Sequence, residues 1–160
     1  MFTIANCMVS NYPKKATSSR VDPDSNRTMT GFVTHGLGDA RHFIPLPGYL
    51  EQFREKLGYE PFPGTLNIEL TDESISDRKG IPSSNTITIE GWQDGDQTYG
   101  PASCYPSVIE ASGRTYSTAH VIEPERSRHD ENVIELIAPV KLRDTLPCDD
   151  GEYVSLHVPK

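Results

Sequence analysis

Asn85-Thr86-Ile87-Thr88-Ile89-Glu90-Gly91 alternates Ile87 and Ile89 with Thr86, Thr88 and Glu90, and Asp94-Gly95 follows as a tight-turn signal. Alternation with period two is the mark of a half-buried strand, because successive side chains leave opposite faces of a pleated backbone. The same grammar repeats on both sides of this stretch. Upstream, Pro61-Phe62-Pro63-Gly64-Thr65-Leu66-Asn67-Ile68-Glu69-Leu70 passes from a proline-bounded turn into a strand, and Thr30 to Thr34 reads as another. Downstream, strands are expected around 104–110, 115–123 and Val133 to Ile137. Asp149-Asp150-Gly151 then turns the chain into a last strand, with Val154, Leu156 and Val158 on one face. One segment has helical spacing instead. Tyr49, Leu50, Phe53 and Leu57 form an apolar stripe between Pro47, suited to a first helical position, and Gly58, suited to a stop. Residues 139–146 allow a turn or two of helix, and the polar stretch 71–84 reads as a loop. Many short strands with one good helix predict a mainly β fold, a small β-barrel with one or two short helices, in which closure removes exposed edges.

Composition bounds the rest. The chain has 160 residues, the size of one domain, with 35% apolar residues, 12 glycines and 13 prolines. Between Ser10 and Thr28 only Tyr12, Ala16 and Val21 are apolar. Such a segment cannot offset its ordering entropy by burial, so residues 1–28 are expected to form an extension, with Met1 to Met8 able to add a strand. The compact domain is expected over 29–160. No apolar run reaches the roughly 18 residues of a membrane span, and the N-terminus lacks a secretory pattern, so a soluble, cytoplasmic protein is expected. The formal net charge of −8 argues against a nucleic-acid partner, whose phosphates demand cations. Cys7, Cys104 and Cys148 are odd in number and lack a Cys-x-x-Cys spacing, which supports neither a disulfide framework nor a zinc site.

Three segments carry residue types suited to chemistry. Gly36-Leu37-Gly38-Asp39-Ala40-Arg41 follows a strand directly, and its paired glycines let backbone amides converge on phosphate oxygens, with Arg41 adding charge. It is not a P-loop, and in isolation an ordinary glycine turn is the commoner case. Thr65 and Asn67 share one side of their strand and offer hard neutral oxygens of the kind that suit Mg²⁺. Two polar residues on a solvent-facing strand are the plainer alternative. Finally, Arg126, Arg128, Lys141 and Arg143 cluster in an otherwise acidic chain, around Ser127 and Glu135.

In order along the chain, GFVTHGLGDARHF, PFPGTLNIEL, PERSRH, IELIAPVKLRDTL and DDGEYVSLHV resemble the archaeal CTP-dependent riboflavin kinases over residues 29–158. The resemblance implies a six-stranded cradle-loop (RIFT-type) barrel. It also implies transfer of the terminal phosphoryl group of CTP to the 5′-hydroxyl of riboflavin, giving FMN and CDP with Mg²⁺. It assigns the nucleotide to Gly36, Leu37, Gly38, Asp39, Ala40 and Arg41 together with Val140, Lys141, Leu142 and Arg143. It assigns the metal to Thr65 and Asn67, and the flavin to Ser127 and Glu135. The family loop usually reads Gly-Leu-Gly-Glu-Gly, so Asp39 and Ala40 depart from it, and Ser127 stands where a threonine is usual. No general base is evident; Glu135 is the first candidate, with Asp39 and His35 behind it. A non-catalytic flavin- or nucleotide-binding module is the alternative, motivated by the altered loop. A DNA-binding barrel is disfavoured by the charge.

Overall fold

The computed structural model describes residues 26–79, 85–125 and 130–159. The expectations for residues 1–25, and those for Arg126, Ser127 and Arg128, lie outside the described residues. The elements run β1 (Asn26–Thr34), α1 (Ala40–Phe43), α2 (Pro47–Leu57), β2 (Leu66–Leu70), α3 (Asp72–Lys79), β3 (Ile87–Ile89), β4 (Trp92–Asp94), β5 (Gln97–Tyr99), β6 (Ala102–Ala111), β7 (Arg114–Pro124), β8 (Val133–Ile137), α4 (Leu142–Thr145) and β9 (Tyr153–Pro159).

Six strands close into an antiparallel barrel in the order β6-β7-β8-β2-β1-β9, with β9 returning to β6. The fold class expected from the sequence is therefore the one observed. Closure depends on β6. One of its edges carries β7 throughout, while the other carries β3 at Ala102 to Cys104 and β9 at Val108 to Ala111. The β6–β7 register slips between Ser107 and Ile109. A bulge bends a strand and increases its twist, and here it lies between the part of β6 that faces β3 and the part that faces β9. β1 takes in Asn26, Arg27 and Thr28, beginning before the Met29 start read from the sequence.

Alternation divides the apolar residues between two cores. Met29, Val33, Ile68, Val121, Leu136, Val154, Leu156 and Val158 fill the barrel. Ile89, Cys104, Ile122 and Ile137 point the other way and pack with Ile44 and Phe53 beneath α2. Burying Phe53 contributes roughly 1.5–3 kcal/mol. Pro47 opens α2 and Gly58 ends it at φ 83°. Gly31 faces the backbone carbonyl of Glu69 so closely that a Cβ there has no room. Cys104 and Cys148 are buried, and desolvation pushes their thiols up to about 12 and about 11, which keeps them inert. Among the described residues no helix is long and apolar enough to cross a membrane.

Among the described residues four short helices stand where one or two were expected. The polar segment read as a loop contains α3. Among the described side chains of this helix Ser74 is buried and Ile75 packs on the barrel core, and the rest are polar, so it has no apolar stripe to read. Hydrogen bonds anchor it instead: Thr71 Oγ1 donates to Ser74 Oγ at 3.1 Å, and Ser74 Oγ accepts the Thr30 amide at 2.8 Å. Further along, Arg78 Nε donates to Glu123 at 3.0 Å.

Behind β7, His120 Nδ1 meets the Tyr59 hydroxyl at 2.7 Å, and burial lowers the histidine pKa. The unfolded chain then binds more protons than the native one below the ordinary histidine pKa of about 6.5. Stability should therefore fall as pH drops below that value. Melting temperatures at pH 7.5 and 5.5 should diverge less in His120→Gln than in the wild type; an equal drop in both would remove His120 from the acid sensitivity.

Candidate functional site

β1, β2 and β8 lie side by side, and their registers align Thr34 with Asn67 and Asn67 with Glu135. Thr65, just ahead of β2, donates from Oγ1 to Glu135 Oε1 at 3.0 Å. Asn67 is only 4% exposed, and its Oδ1 has no hydrogen-bond partner among the described residues. A solvent-facing strand is thus excluded for this residue. A buried amide oxygen left unsatisfied costs about 1–3 kcal/mol, a cost that a ligand can remove. Among the described residues no three of His, Cys, Asp and Glu gather as a metal cluster. The donors that fit a cation here are neutral oxygens, and a hard ion such as Mg²⁺ accepts those while keeping waters.

The glycine segment rests on this ladder. A Cβ on Gly36 would overlap the Asn67 amide, so glycine is needed for the close approach. Gly38 has φ 79° with open space around it, so glycine is favoured there by the backbone conformation and not by a close approach. Ala40 departs from the family loop without strain. It opens α1 right after Asp39, which is itself helical at φ −70°, and Ser112 is the sole non-glycine at positive φ among the described residues. Ala40→Gly should therefore lower stability by roughly 0.5–1 kcal/mol. Thermal melting of the two proteins checks this; a glycine variant that melts at or above the wild type would contradict it.

Two cavities meet at Thr65. The larger, about 380 Å³, lies between the glycine segment (Leu37 to Ala40) and the β4–β5 hairpin, with Glu135 in its wall. The smaller, about 110 Å³, is lined by Phe62, Gly64 and Val140 to Arg143. The residues assigned to a nucleotide from the sequence thus divide between the two. Leu37, Gly38, Asp39 and Ala40 line the larger, and Val140, Lys141, Leu142 and Arg143 the smaller. Gly36 backs Asn67, and Arg41 is exposed on α1 beside His42. Of the three base candidates only Glu135 touches Thr65. Asp39 lines the larger cavity, whereas His35 is 87% exposed and bonds Asp150 at 2.8 Å.

Arg143 has a structural engagement that its place in a cationic cluster did not reveal. It donates to the carbonyls of Thr34 and Cys148, each at 3.2 Å, and pairs with Asp150 at 2.7 Å. Its guanidinium thereby ties the end of β1 to α4 and to the turn before β9. Lys141, exposed at the start of α4, has no such engagement in the fold. The sequence reading also passed over the β4–β5 hairpin. Trp92 pairs with Tyr99 across it, their rings stack at 4.2 Å, and Tyr49 of α2 meets both edge-on. The Asp94-Gly95 turn was the available signal, since it sets residues 92 and 99 opposite one another.

Residues 33–158 match a family model labelled CTP-dep_RFKase and described as a domain of unknown function, DUF120. A protein named riboflavin kinase from Haloquadratum walsbyi is 50% identical over 137 residues, covering 86% of this chain and 58% of the relative. Its namesake from Halobacterium salinarum is 47% identical over 130 residues, with 81% and 56% covered. That from Archaeoglobus fulgidus is 34% identical over 137 residues, with 86% and 57% covered. The chain spans a little over half the length of these relatives.

Proposed function

The chain belongs to the family of that matching model, and from this premise we propose that it phosphorylates riboflavin, transferring the terminal phosphoryl group of CTP to the 5′-hydroxyl to give FMN and CDP. The names of the relatives and the label of the family support the acceptor and the donor respectively. The observation that carries the reading is the Thr65–Glu135 hydrogen bond at the meeting point of two cavities, with the buried amide of Asn67 paired to Glu135 on the neighbouring strand.

Phosphoryl transfer is mostly positioning and charge stabilisation. Asn67 Oδ1 and Thr65 Oγ1 would hold Mg²⁺. Bound there, the ion would neutralise charge on the transferring phosphoryl oxygens. The amides of the glycine segment would hold phosphate oxygens, and Lys141 would add a positive charge from the smaller cavity. The Glu135 carboxylate, oriented by Thr65, would accept the 5′-hydroxyl proton as the new P–O bond forms and the bond to CDP breaks. Ser127 would contribute a hydroxyl to the flavin.

The deciding experiment incubates the protein with riboflavin, Mg²⁺ and each nucleoside triphosphate separately. FMN formed with CTP supports the reading. Flavin binding with no FMN under any donor selects the non-catalytic module. That alternative drew on the altered glycine loop, where the helical backbone at Ala40 shows that the alanine is accommodated without strain.

Lys141→Ala should weaken CTP by about 10- to 150-fold, the equivalent of roughly 1.5–3 kcal/mol for a charge-assisted contact, at an unchanged melting temperature. Arg143→Ala, by contrast, should lower the melting temperature, because its contacts hold three segments together. Calorimetry showing full CTP affinity in Lys141→Ala would take that residue out of the site.

A further inference from the structure

The β4–β5 hairpin closes one end of the larger cavity, and its chemistry differs from that of the rest of the site. Gln97, Thr98, Tyr99, Gly100 and Pro101 line that end. They include no cation, and the hairpin turn carries Asp94 and Asp96. Such an end disfavours a triphosphate, whose charge the cations elsewhere in the site would balance. It does present an aromatic surface. Tyr99 lines the cavity, Trp92 stacks on it at 4.2 Å and 21°, and Tyr49 abuts both rings. The group is held rigidly. Tyr49 donates its hydroxyl to the Gly100 carbonyl at 2.7 Å, and Gly48 leaves the space that the Trp92 ring occupies. A hairpin of two three-residue strands would not by itself hold a ring in place. Anchorage to α2 supplies what it lacks, so the surface is preorganised rather than assembled on binding.

We propose that this hairpin is a stacking wall for the uncharged tricyclic ring of the phosphoryl acceptor. Tyr99 is the contact residue, with Trp92 and Tyr49 backing it, so that the flavin ring occupies the hairpin end of the larger cavity. The proposal rests on the riboflavin reading above and adds the residues that select the ring. A large planar ring gains from a preformed aromatic face through dispersion and quadrupole matching. Stacking on one aromatic side chain changes affinity by roughly 5- to 150-fold on removal.

Equilibrium dialysis of riboflavin, with CTP titrated in parallel, tests this on the full chain. Tyr99→Leu should weaken riboflavin within that range, Tyr99→Phe should restore it to within about twofold, and CTP affinity should not move. Thr98→Trp leaves the aromatic trio intact but fills the hairpin end, and it should weaken riboflavin alone; it serves if Tyr99→Leu folds poorly. In steady-state assays the loss should appear in the KM for riboflavin and not in kcat. Riboflavin bound equally by wild type, Tyr99→Leu and Thr98→Trp overturns the wall and leaves the flavin reading standing. CTP weakened in place of riboflavin overturns it in favour of a nucleobase. A wild-type protein that binds no riboflavin brings down both.

Discussion

Turnover is expected to fall by roughly 100- to 1,000-fold when Thr65 and Asn67 both become alanine, the loss typical of removing positioned electrostatic stabilisation from a transition state. The two oxygens belong to one ladder with Glu135, so the double variant would remove the proposed cation ligands and the orientation of the carboxylate together. Riboflavin affinity should persist, because the hairpin end of the cavity is untouched. Asn67→Ala alone gives a second readout that does not depend on activity. Its Oδ1 has no hydrogen-bond partner among the described residues, so in a chelating buffer the variant should melt close to the wild type. What it should lose is the rise in melting temperature that Mg²⁺ with CTP is expected to give the wild type through linkage on the proposed function. A variant with undiminished rate and an undiminished Mg²⁺ response would end the metal assignment.

Gly31→Val should cost about 3 kcal/mol, at the upper end for overpacking. In a domain of this size that corresponds to a melting temperature roughly 6–12 °C lower. Gly31 pairs with Leu70 on one side and Val154 on the other, in the wall of the closed barrel. Any Cβ there runs into the Glu69 carbonyl and the Ile68 side chain. The carbonyl is backbone inside a ladder and cannot swing aside. A branched residue must therefore push β1 away from β2, and in a closed barrel the displacement has no free edge at which to dissipate. Denaturation showing Gly31→Val within about 0.5 kcal/mol of wild type would mean that the wall is softer than its packing implies.

Strand alternation made most of the sheet legible. Ile87 and Ile89, and Val154, Leu156 and Val158, announce their strands because one face is buried and the other is not. Pro47 and Gly58 delimit α2 for equally local reasons. The failures share a cause, which is dependence on partners distant in sequence. α3 is held by Thr30 and by side-chain hydrogen bonds, and its own residues carry no stripe. Arg143 reads as a surface cation until Thr34 and Asp150 are brought beside it. The unsatisfied oxygen of Asn67, the strongest pointer to a ligand, depends on what surrounds it, and no motif can encode that. Tyr49, Trp92 and Tyr99 become one surface only when α2 lies against the hairpin.

The barrel's closing strand bears on the order in which the chain acquires its shape. β9 holds β1 along one edge and the far half of β6 along the other, with Arg27 opposite Val158 and Ile109 opposite Leu156. As the polypeptide leaves the ribosome, β1 pairs with β2 early, yet its other edge stays unmatched until nearly all the remaining described sequence has emerged. The same delay leaves the half of β6 beyond the bulge open. Contacts between such remote positions are slow to form, since the loop entropy comes due before any pairing rewards it. During that interval two half-finished sheet edges face solvent or a chaperone. Nascent chains stalled before Tyr153 should therefore be protease-sensitive and sticky.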